Sequence, residues 1–270
     1  MHLTEIYIYP IKSLGGIALK QALVTERGLQ YDRRWLLIDE NNRFLTQREH
    51  TLMALLRVKI EGNNLIIWHK TNQIEPLTVR LEPTNFSEND LINVQIWDDE
   101  VQAIPVNEKA DAWFTTVLGA KTRLVYMPDE SKRLVDKNYA INQEITSFSD
   151  AYPLLIIGQE ALNLLNSQLE EKLPINRFRP NLVFSGGQPH EEDTWYEFMV
   201  GATSFFGVKP CARCVMTTIN QDSAELGKEP LKTLATYRRH NNKILFGQNL
   251  LPAHVGMIAV GDVIEVLSRR

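Results

Sequence analysis

The two cysteines of the chain, Cys211 and Cys214, stand in Lys209-Pro-Cys-Ala-Arg-Cys-Val-Met-Thr-Thr-Ile219 with two residues between them. Thiols at that spacing can ligate zinc, work as a redox dithiol, or pack as small buried hydrophobes. A structural zinc needs about four ligands. Two more would have to come from elsewhere, and His240 and His254 are too far apart for the usual histidine pair. A redox dithiol sits where a strand feeds a helix, whose N-terminus lowers the thiol pKa. Here Cys214 runs into Val215–Ile219, which is β-branched and reads as a strand. Buried thiols without chemistry are the ordinary alternative. Arg213 weighs against it, because a cation beside a thiol favours the thiolate, the form that ligates metal. The remaining option is a soft, high-valent metal already held by a cofactor, for which one protein thiolate is enough.

A second group of residues has chemistry suited to an anion. Tyr9-Pro-Ile-Lys-Ser13 ends the first apolar run with a lysine and a hydroxyl, and Asp32-Arg-Arg34 precedes the apolar Trp35–Ile38. Phe178-Arg-Pro-Asn181 precedes Leu182–Phe184, and Pro180 is expected to hold Arg179 in an extended conformation at the mouth of a strand. Lysine, arginine and serine presented this way suit a phosphate. Taken singly, Lys12 or Arg33 reads as a solvated surface charge, and Arg179 reads equally well either way. Their convergence is not visible in a linear sequence.

The elements that must position these groups are mostly strands. His2–Tyr9 is apolar and β-rich. Three hairpins are expected: Arg34–Asp39 with Arg43–Thr46, Val58–Ile60 with Leu65–Trp68, and Val94–Trp97 with Val101–Ile104. A helix should follow Asn107, with Ala110, Trp113, Phe114 and Val117 on one face and Gly119 just past its end. A second helix is expected from about Gln159 to Leu173, with Leu162, Leu165 and Leu169 on one side, and a third from about Pro230 to Arg239. Strands are expected at Arg123–Tyr126, Leu154–Ile157, Asn181–Phe184, Thr203–Val208 and Val263–Leu267. The pattern is mainly β with a few packed helices (α+β), and it does not suit a parallel doubly wound sheet. The expected boundary lies near residues 105–122.

Composition narrows the class. Of 270 residues, 44% are apolar and 23% charged, which is ordinary for a globular protein. The net charge of −4 and the lack of a long basic block argue against a general nucleic-acid binder. No run is apolar enough for a membrane helix, and Met-His-Leu-Thr-Glu-Ile6 does not open like a secretory signal. A reducing, cytoplasmic setting is the default expectation, with no membrane partner.

These segments together resemble a known family. Tyr9–Ser13, Gly28-Leu-Gln-Tyr-Asp-Arg33 and Trp35 are similar to the N-terminal β-barrel domain of MOSC proteins. Asn176-Arg-Phe-Arg-Pro-Asn181, Pro210–Ile219, Lys228-Glu-Pro-Leu-Lys-Thr-Leu234 and Leu245-Phe-Gly-Gln248 resemble the MOSC domain itself. The resemblance covers nearly the whole chain and extends to the amidoxime-reducing components. It implies a β-barrel-like domain over residues 1–118 followed by a MOSC β-barrel domain over 119–270. It implies a molybdenum cofactor (Mo-molybdopterin) with Cys214 as the metal ligand, and Cys211 as a neighbour. Lys12, Ser13, Arg33, Arg179, Asn181 and Arg213 match positions that hold the pterin and its phosphate, and Asp150 matches one near the metal. Ala151 and Tyr152 depart from the small hydroxyl residues found in relatives, so backbone contacts alone carry over to Tyr152. Ala212 replaces a serine. The implied activity is reduction of N-hydroxylated compounds (amidoximes, hydroxylamines), with Cys214 and Asp150 as the catalytic pair. The alternative is a cofactor carrier or sulfur-transfer protein. Two cysteines are too few for a resident iron–sulfur cluster, so electrons would come from a separate ferredoxin, flavoprotein or cytochrome b5-like protein.

Overall fold

The computed structural model describes residues 1–83 and 86–270. Its largest sheet runs, strand beside strand, through Ile17–Leu19, His2–Ile8, Leu182–Ser185, Leu154–Gly158, Lys243–Pro252, Thr203–Arg213, Trp195–Val200 and Ile264–Arg269. Within this sheet only Leu154–Gly158 and Leu182–Ser185 are parallel among the described residues. The two ends of the sheet approach each other. His2 bridges Val263, and Ile264 N–H donates to the Met1 carbonyl at 2.9 Å. Main-chain groups that would form an open edge are thereby paired, as in a barrel.

Strand alternation explains why apolar runs here are unbroken rather than patterned. In Leu154–Gly158, Leu154 and Ile156 enter the barrel core with Trp195, Phe198 and Phe205. Leu155 and Ile157 face the other way, into a layer built from Ala161, Leu162, Leu165, Phe178 and Phe246. Successive side chains point to opposite faces, so a strand covered on both sides must be apolar throughout. Trp35–Ile38 behaves alike: Trp35 and Leu37 belong to one core, Leu36 and Ile38 to another.

A second group of strands lies in the first half of the chain. Trp35–Ile38, Arg123–Tyr126, Asp99–Pro105 and Ile92–Ile96 form one antiparallel sheet, and Leu56–Glu61, Asn64–His69 and Leu77–Arg80 another. In space the first strand pairs with Leu182–Ser185, and Arg123–Tyr126 pairs with Trp35–Ile38. The fold is mainly β with packed helices. Among the described residues no helix is long and apolar enough to cross a membrane.

The expected hairpins form around residues 39–42, 62–63 and 97–98, although Arg43–Thr46 meets its partner through the isolated bridge Ile38–Phe44, flanked by hydrogen bonds from Asp39 N–H to Arg43 and from Leu45 N–H to Leu37, and not through a regular strand. The helix Glu108–Leu118 is capped by Asn107, whose side chain accepts from Ala110 N–H at 2.8 Å, and ends at left-handed Gly119. Two sets of sequence expectations need correction, and the first concerns the extents of the second and third helices. The second helix is Gln159–Asn166 and excludes Leu169. It stops because the Asn166 side chain bonds both the N–H and the carbonyl of Leu173, closing the segment between them as a loop. The third helix, Leu231–Tyr237, is shorter than expected at both ends.

The second correction bears on the cysteines. Val215–Thr218 is a 3-10 turn, and the strand lies before Cys214 instead of after it, at Thr203–Arg213. The Thr217 and Thr218 hydroxyls donate to the Cys214 and Val215 carbonyls at 3.0 and 2.8 Å. These back-bonds outweigh β-propensity, which is a weak preference. Thr217→Val, which raises β-propensity but removes the back-bond, is expected to lower stability by roughly 1 kcal/mol. Urea unfolding measures it, and a gain in stability would show that the turn is imposed from elsewhere.

Candidate functional site

One cavity of about 300 Å³ is lined from both ends of the chain. All nine residues singled out in the sequence reach it: Lys12, Ser13, Arg33, Asp150, Tyr152, Arg179, Asn181, Arg213 and Cys214. A larger cavity of about 440 Å³, lined by Arg27, Tyr31, Arg34, Glu82 and Asp129 among others, contains no cysteine and mixes its charges. Size does not identify the site here; chemistry does.

Strand ends deliver these groups, and their backbones turn in an unusual way. Ser13, Arg33 and Arg179 have φ of 68°, 49° and 53°, a left-handed conformation that non-glycine residues rarely adopt. Hydrogen bonds hold each turn: Leu14 N–H on the Ile11 carbonyl and Arg179 N–H on the Asn176 carbonyl are local, and Arg33 N–H reaches the distant Tyr9 carbonyl. Such conformations persist where surroundings over-determine them, and they gather at functional sites. The extended conformation expected for Arg179 ahead of Pro180 is thus not the one adopted. The turn at Ile175–Arg177 swings its side chain towards the first strand instead.

Eight cationic side chains line the cavity: Lys12, Arg33, Arg48, Arg177, Arg179, Lys209, Arg213 and Lys243. Asp150 is the one carboxylate lining it among the described residues. Backbone carbonyls supply most of the missing acceptors. Lys12 Nζ donates to the Phe148 carbonyl at 2.9 Å and to Asp150 Oδ1 at 2.5 Å. Arg179 Nη1 donates to Leu14 at 2.6 Å, Arg213 Nη2 to Phe178 at 2.6 Å and Arg177 Nε to Thr217 at 2.9 Å. Arg33 pairs with buried Asp32 and also donates to the Asn181 amide oxygen at 3.0 Å. Tyr9 lies between two guanidiniums, with Arg33 4.4 Å and Arg179 4.2 Å from its ring centre. Burial pushes the Tyr9 phenol up to about 12 against those charges, and pushes Arg179 down to about 10.

Lys12 and Arg33, read singly as solvated surface charges, are not. Lys12 is 5% exposed, and burial pushes its ammonium down to about 8, although Asp150 opposes the shift. Asn181 has little left for a ligand. Its amide accepts from Arg33 and Leu155 N–H and donates to the Tyr7 carbonyl, so it positions Arg33 and stitches three segments together. Tyr152 is buried with its ring edge-on to Tyr139.

The cysteines take separate arginines. Arg213 Nη1 donates to Cys211 Sγ at 3.0 Å, so the cation adjacent in sequence to Cys214 serves the other thiol. Cys214 Sγ accepts from Arg48 Nε at 3.3 Å. Arg48 also donates to Asp150 Oδ2 at 2.9 Å and lies 4.7 Å from the ring centre of Trp97. Sequence reasoning missed Arg48, because Thr46-Gln-Arg-Glu-His50 is a polar loop with no local signal. Its neighbour Gln47 is fully buried, donating to the Ser13 carbonyl at 2.5 Å and accepting from Gln221 at 3.1 Å. That amide pair sets where Arg48 emerges. Arg133 was missed too. It donates to the carbonyls of Ser147, Ser149 and Asp150, shaping the loop that carries Asp150.

Asp150 keeps 53% exposure because it faces the open cavity. Burial of its surroundings works to raise its carboxyl, but Lys12 and Arg48 together outweigh this and hold it well below the usual carboxylate range. It is an ionised acceptor at neutral pH.

The arrangement fits an anionic group carrying its own metal ligands. Among the described residues no three His, Cys, Asp or Glu side chains converge as a protein-only metal site. The Cys214 thiol with Cys211 beside it on the same wall, a surplus of cations and the buried, unpartnered Nε of Arg213 fit a group that brings phosphate oxygens and most of the metal's ligands with it.

Lys12 gives a test by linkage. With a folded pKa near 8 and an ordinary value near 10.5, the unfolded chain binds more protons between those pH values. Stability contributed by this group must therefore rise with pH across that window. Urea unfolding of the protein and of Lys12→Met should give a stability difference that moves in favour of the protein as pH climbs. A difference flat in pH would contradict a depressed lysine.

Comparison with known proteins accords with this geometry. Residues 1–121 match the MOSC N-terminal beta barrel domain and residues 143–265 the MOSC domain. The chain is 32% identical over 282 residues to mitochondrial amidoxime reducing component 2 of Bos taurus, covering 96% of this chain and 81% of that protein. It is 30% identical over 283 residues to mitochondrial amidoxime-reducing component 1 of Mus musculus, covering 98% and 82%. It is 34% identical over 267 residues to a molybdenum cofactor sulfurase of Oryza sativa subsp. japonica, covering 92% of this chain but spanning only 32% of that longer protein. The chain belongs to the family of proteins in which a MOSC N-terminal beta barrel domain precedes a MOSC domain.

Proposed function

We propose that the chain holds a molybdenum-bearing pterin cofactor, with Cys214 as its protein ligand, and reduces N-hydroxylated compounds with electrons from a separate protein. The observation that carries this reading is the Cys214 thiol, held by Arg48, on the wall of a cavity with eight cations, one carboxylate and the neighbouring Cys211. The names of the relatives, amidoxime-reducing components and a molybdenum cofactor sulfurase, support the cofactor class and the reaction class.

When bound, such a cofactor supplies the two-electron chemistry that accepts an oxygen atom. The chain's own groups do the rest. Lys12, Arg33, Arg179 and Arg213 locate the phosphate and pterin, and Asn181 positions Arg33 instead of binding directly. Arg48 fixes the sulfur of Cys214 relative to the carboxylate of Asp150. In the overall balance the N–O bond breaks, two electrons and two protons enter, one proton goes to nitrogen and one to oxygen, and water leaves. Asp150 stays ionised, so at neutral pH it accepts hydrogen bonds and is no source of protons. Lys12 Nζ, 2.5 Å away and titrating near 8, is the group that can hand one over.

Protein made in a host that synthesises the cofactor should contain molybdenum near one per chain and reduce benzamidoxime with a chemical electron donor. Cys214→Ser should lose that turnover, whereas Cys211→Ser should keep its metal. Retained turnover in Cys214→Ser, or metal loss confined to Cys211→Ser, would overturn the ligand assignment. Molybdenum without turnover would favour the carrier or sulfur-transfer reading.

Arg48→Gln tests the bridge to sulfur. It should keep at least half of the molybdenum yet change the Mo(V) electron paramagnetic resonance spectrum. An unchanged spectrum would mean Arg48 does not set the sulfur's position.

A further inference from the structure

A reductase of this kind needs a partner, and one face of the molecule has unspent charge beside the cavity. Residues 228–243 carry Lys228, Lys232, Arg238, Arg239 and Lys243 against the single carboxylate of Glu229, in a chain whose net charge is −4. Arg238 is consumed by Asp193. Glu229 is consumed within the segment, where its carboxylate accepts from Thr233 N–H at 3.0 Å. Among the described residues Lys228, Lys232, Arg239 and Lys243 enter no ion pair, and all four are exposed.

The fold gathers these charges. Lys232 N–H donates to the Lys228 carbonyl, so the two side chains are one helical turn apart. The helix Leu231–Tyr237 runs directly into a tight hairpin, Arg239–His240 paired with Lys243–Pro252. Its turn, Asn241-Asn242, has φ of 44° and 61°, the left-handed pair that suits a two-residue hairpin. The hairpin then reaches the candidate ligand by a short route. Ile244 pairs with Arg213, the residue before Cys214, and Lys243 itself lines the cavity.

We infer that this helix and hairpin form the docking face for an acidic electron-donor protein. The inference rests on the reductase reading above. Exposed unpaired cations steer an oppositely charged partner and set its on-rate. A nucleic acid is a poorer fit, because the chain is acidic overall.

The test uses holoenzyme, a plant-type ferredoxin and a cytochrome b5 as acidic probes, and reduced methyl viologen as a small donor. The triple variant Lys228→Glu, Lys232→Glu, Arg239→Glu leaves the cavity residues intact. It should lose at least about tenfold in kcat/KM for the protein donors at low salt, with the viologen-driven rate unchanged. Wild-type rates with the protein donors should fall as salt rises, and the variant's should respond less. The milder Lys228→Gln, Lys232→Gln, Arg239→Gln variant guards against misfolding and should give an intermediate loss. Titration calorimetry of ferredoxin into metal-free protein reads docking without turnover. Equal protein-donor rates in variant and wild type would overturn the inference, as would tighter binding of an oligonucleotide or anionic vesicles to this face. A protein inactive even with viologen would instead sink the reductase reading, and calorimetry would still judge the surface.

Discussion

Like charges repel, and this structure crowds eight of them around one small cavity. At an effective dielectric near 20, two unit charges about 4 Å apart interact by roughly 4 kcal/mol, so such a cluster needs acceptors for its buried members, while exposed Lys243 is met by solvent. Carboxylates would defeat the purpose by cancelling the field. The chain uses backbone carbonyls instead, at Leu14, Phe148, Phe178, Arg179 and Thr217, with Asp32 and Asp150 as the only carboxylates paired with lining cations among the described residues. A carbonyl dipole satisfies a guanidinium but leaves its net charge in place for an incoming anion.

That requirement explains the shape of the loops. A carbonyl can face a cavity only where the chain turns it away from a strand partner. Left-handed Ser13 and Arg179 stand at such places, beside the Leu14 and Phe178 carbonyls that accept from Arg179 and Arg213. Their cost, of the order of 1 kcal/mol or more each, is offset by the arginine contacts they permit and by the rigid barrel on which they stand. Tyr9 completes the arrangement by offering its ring to two guanidiniums in a place where no further anion is needed.

The same logic separates the two thiols. Cys211 packs against the layer of Tyr237, Ile244 and Phe246 and takes Arg213. Cys214 follows the strand's last residue, lines the cavity as Cys211 also does, and takes Arg48 from the opposite end of the chain. Because Arg48 also holds Asp150, one side chain from the first fifty residues organises two groups from the last hundred and twenty-one.

The amino-acid sequence by itself determined the mainly β class, the three hairpins, the capped helix after Asn107 and the candidate residues for binding an anion or a metal. These follow from local rules: strand period, turn chemistry, capping and thiol spacing. It did not determine the turn after Cys214, where threonine back-bonds override β-propensity, or the early stop of the second helix, set by an asparagine reaching seven residues ahead. Nor did it reveal Arg48 and Arg133, whose loops carry no pattern and whose partners lie 166 residues and 14 to 17 residues away. Whether Lys12 is solvated or buried, and which cysteine an arginine serves, are properties of distance and burial. A chain acquires those only when strands from its two ends pair, and only the tertiary structure decides them.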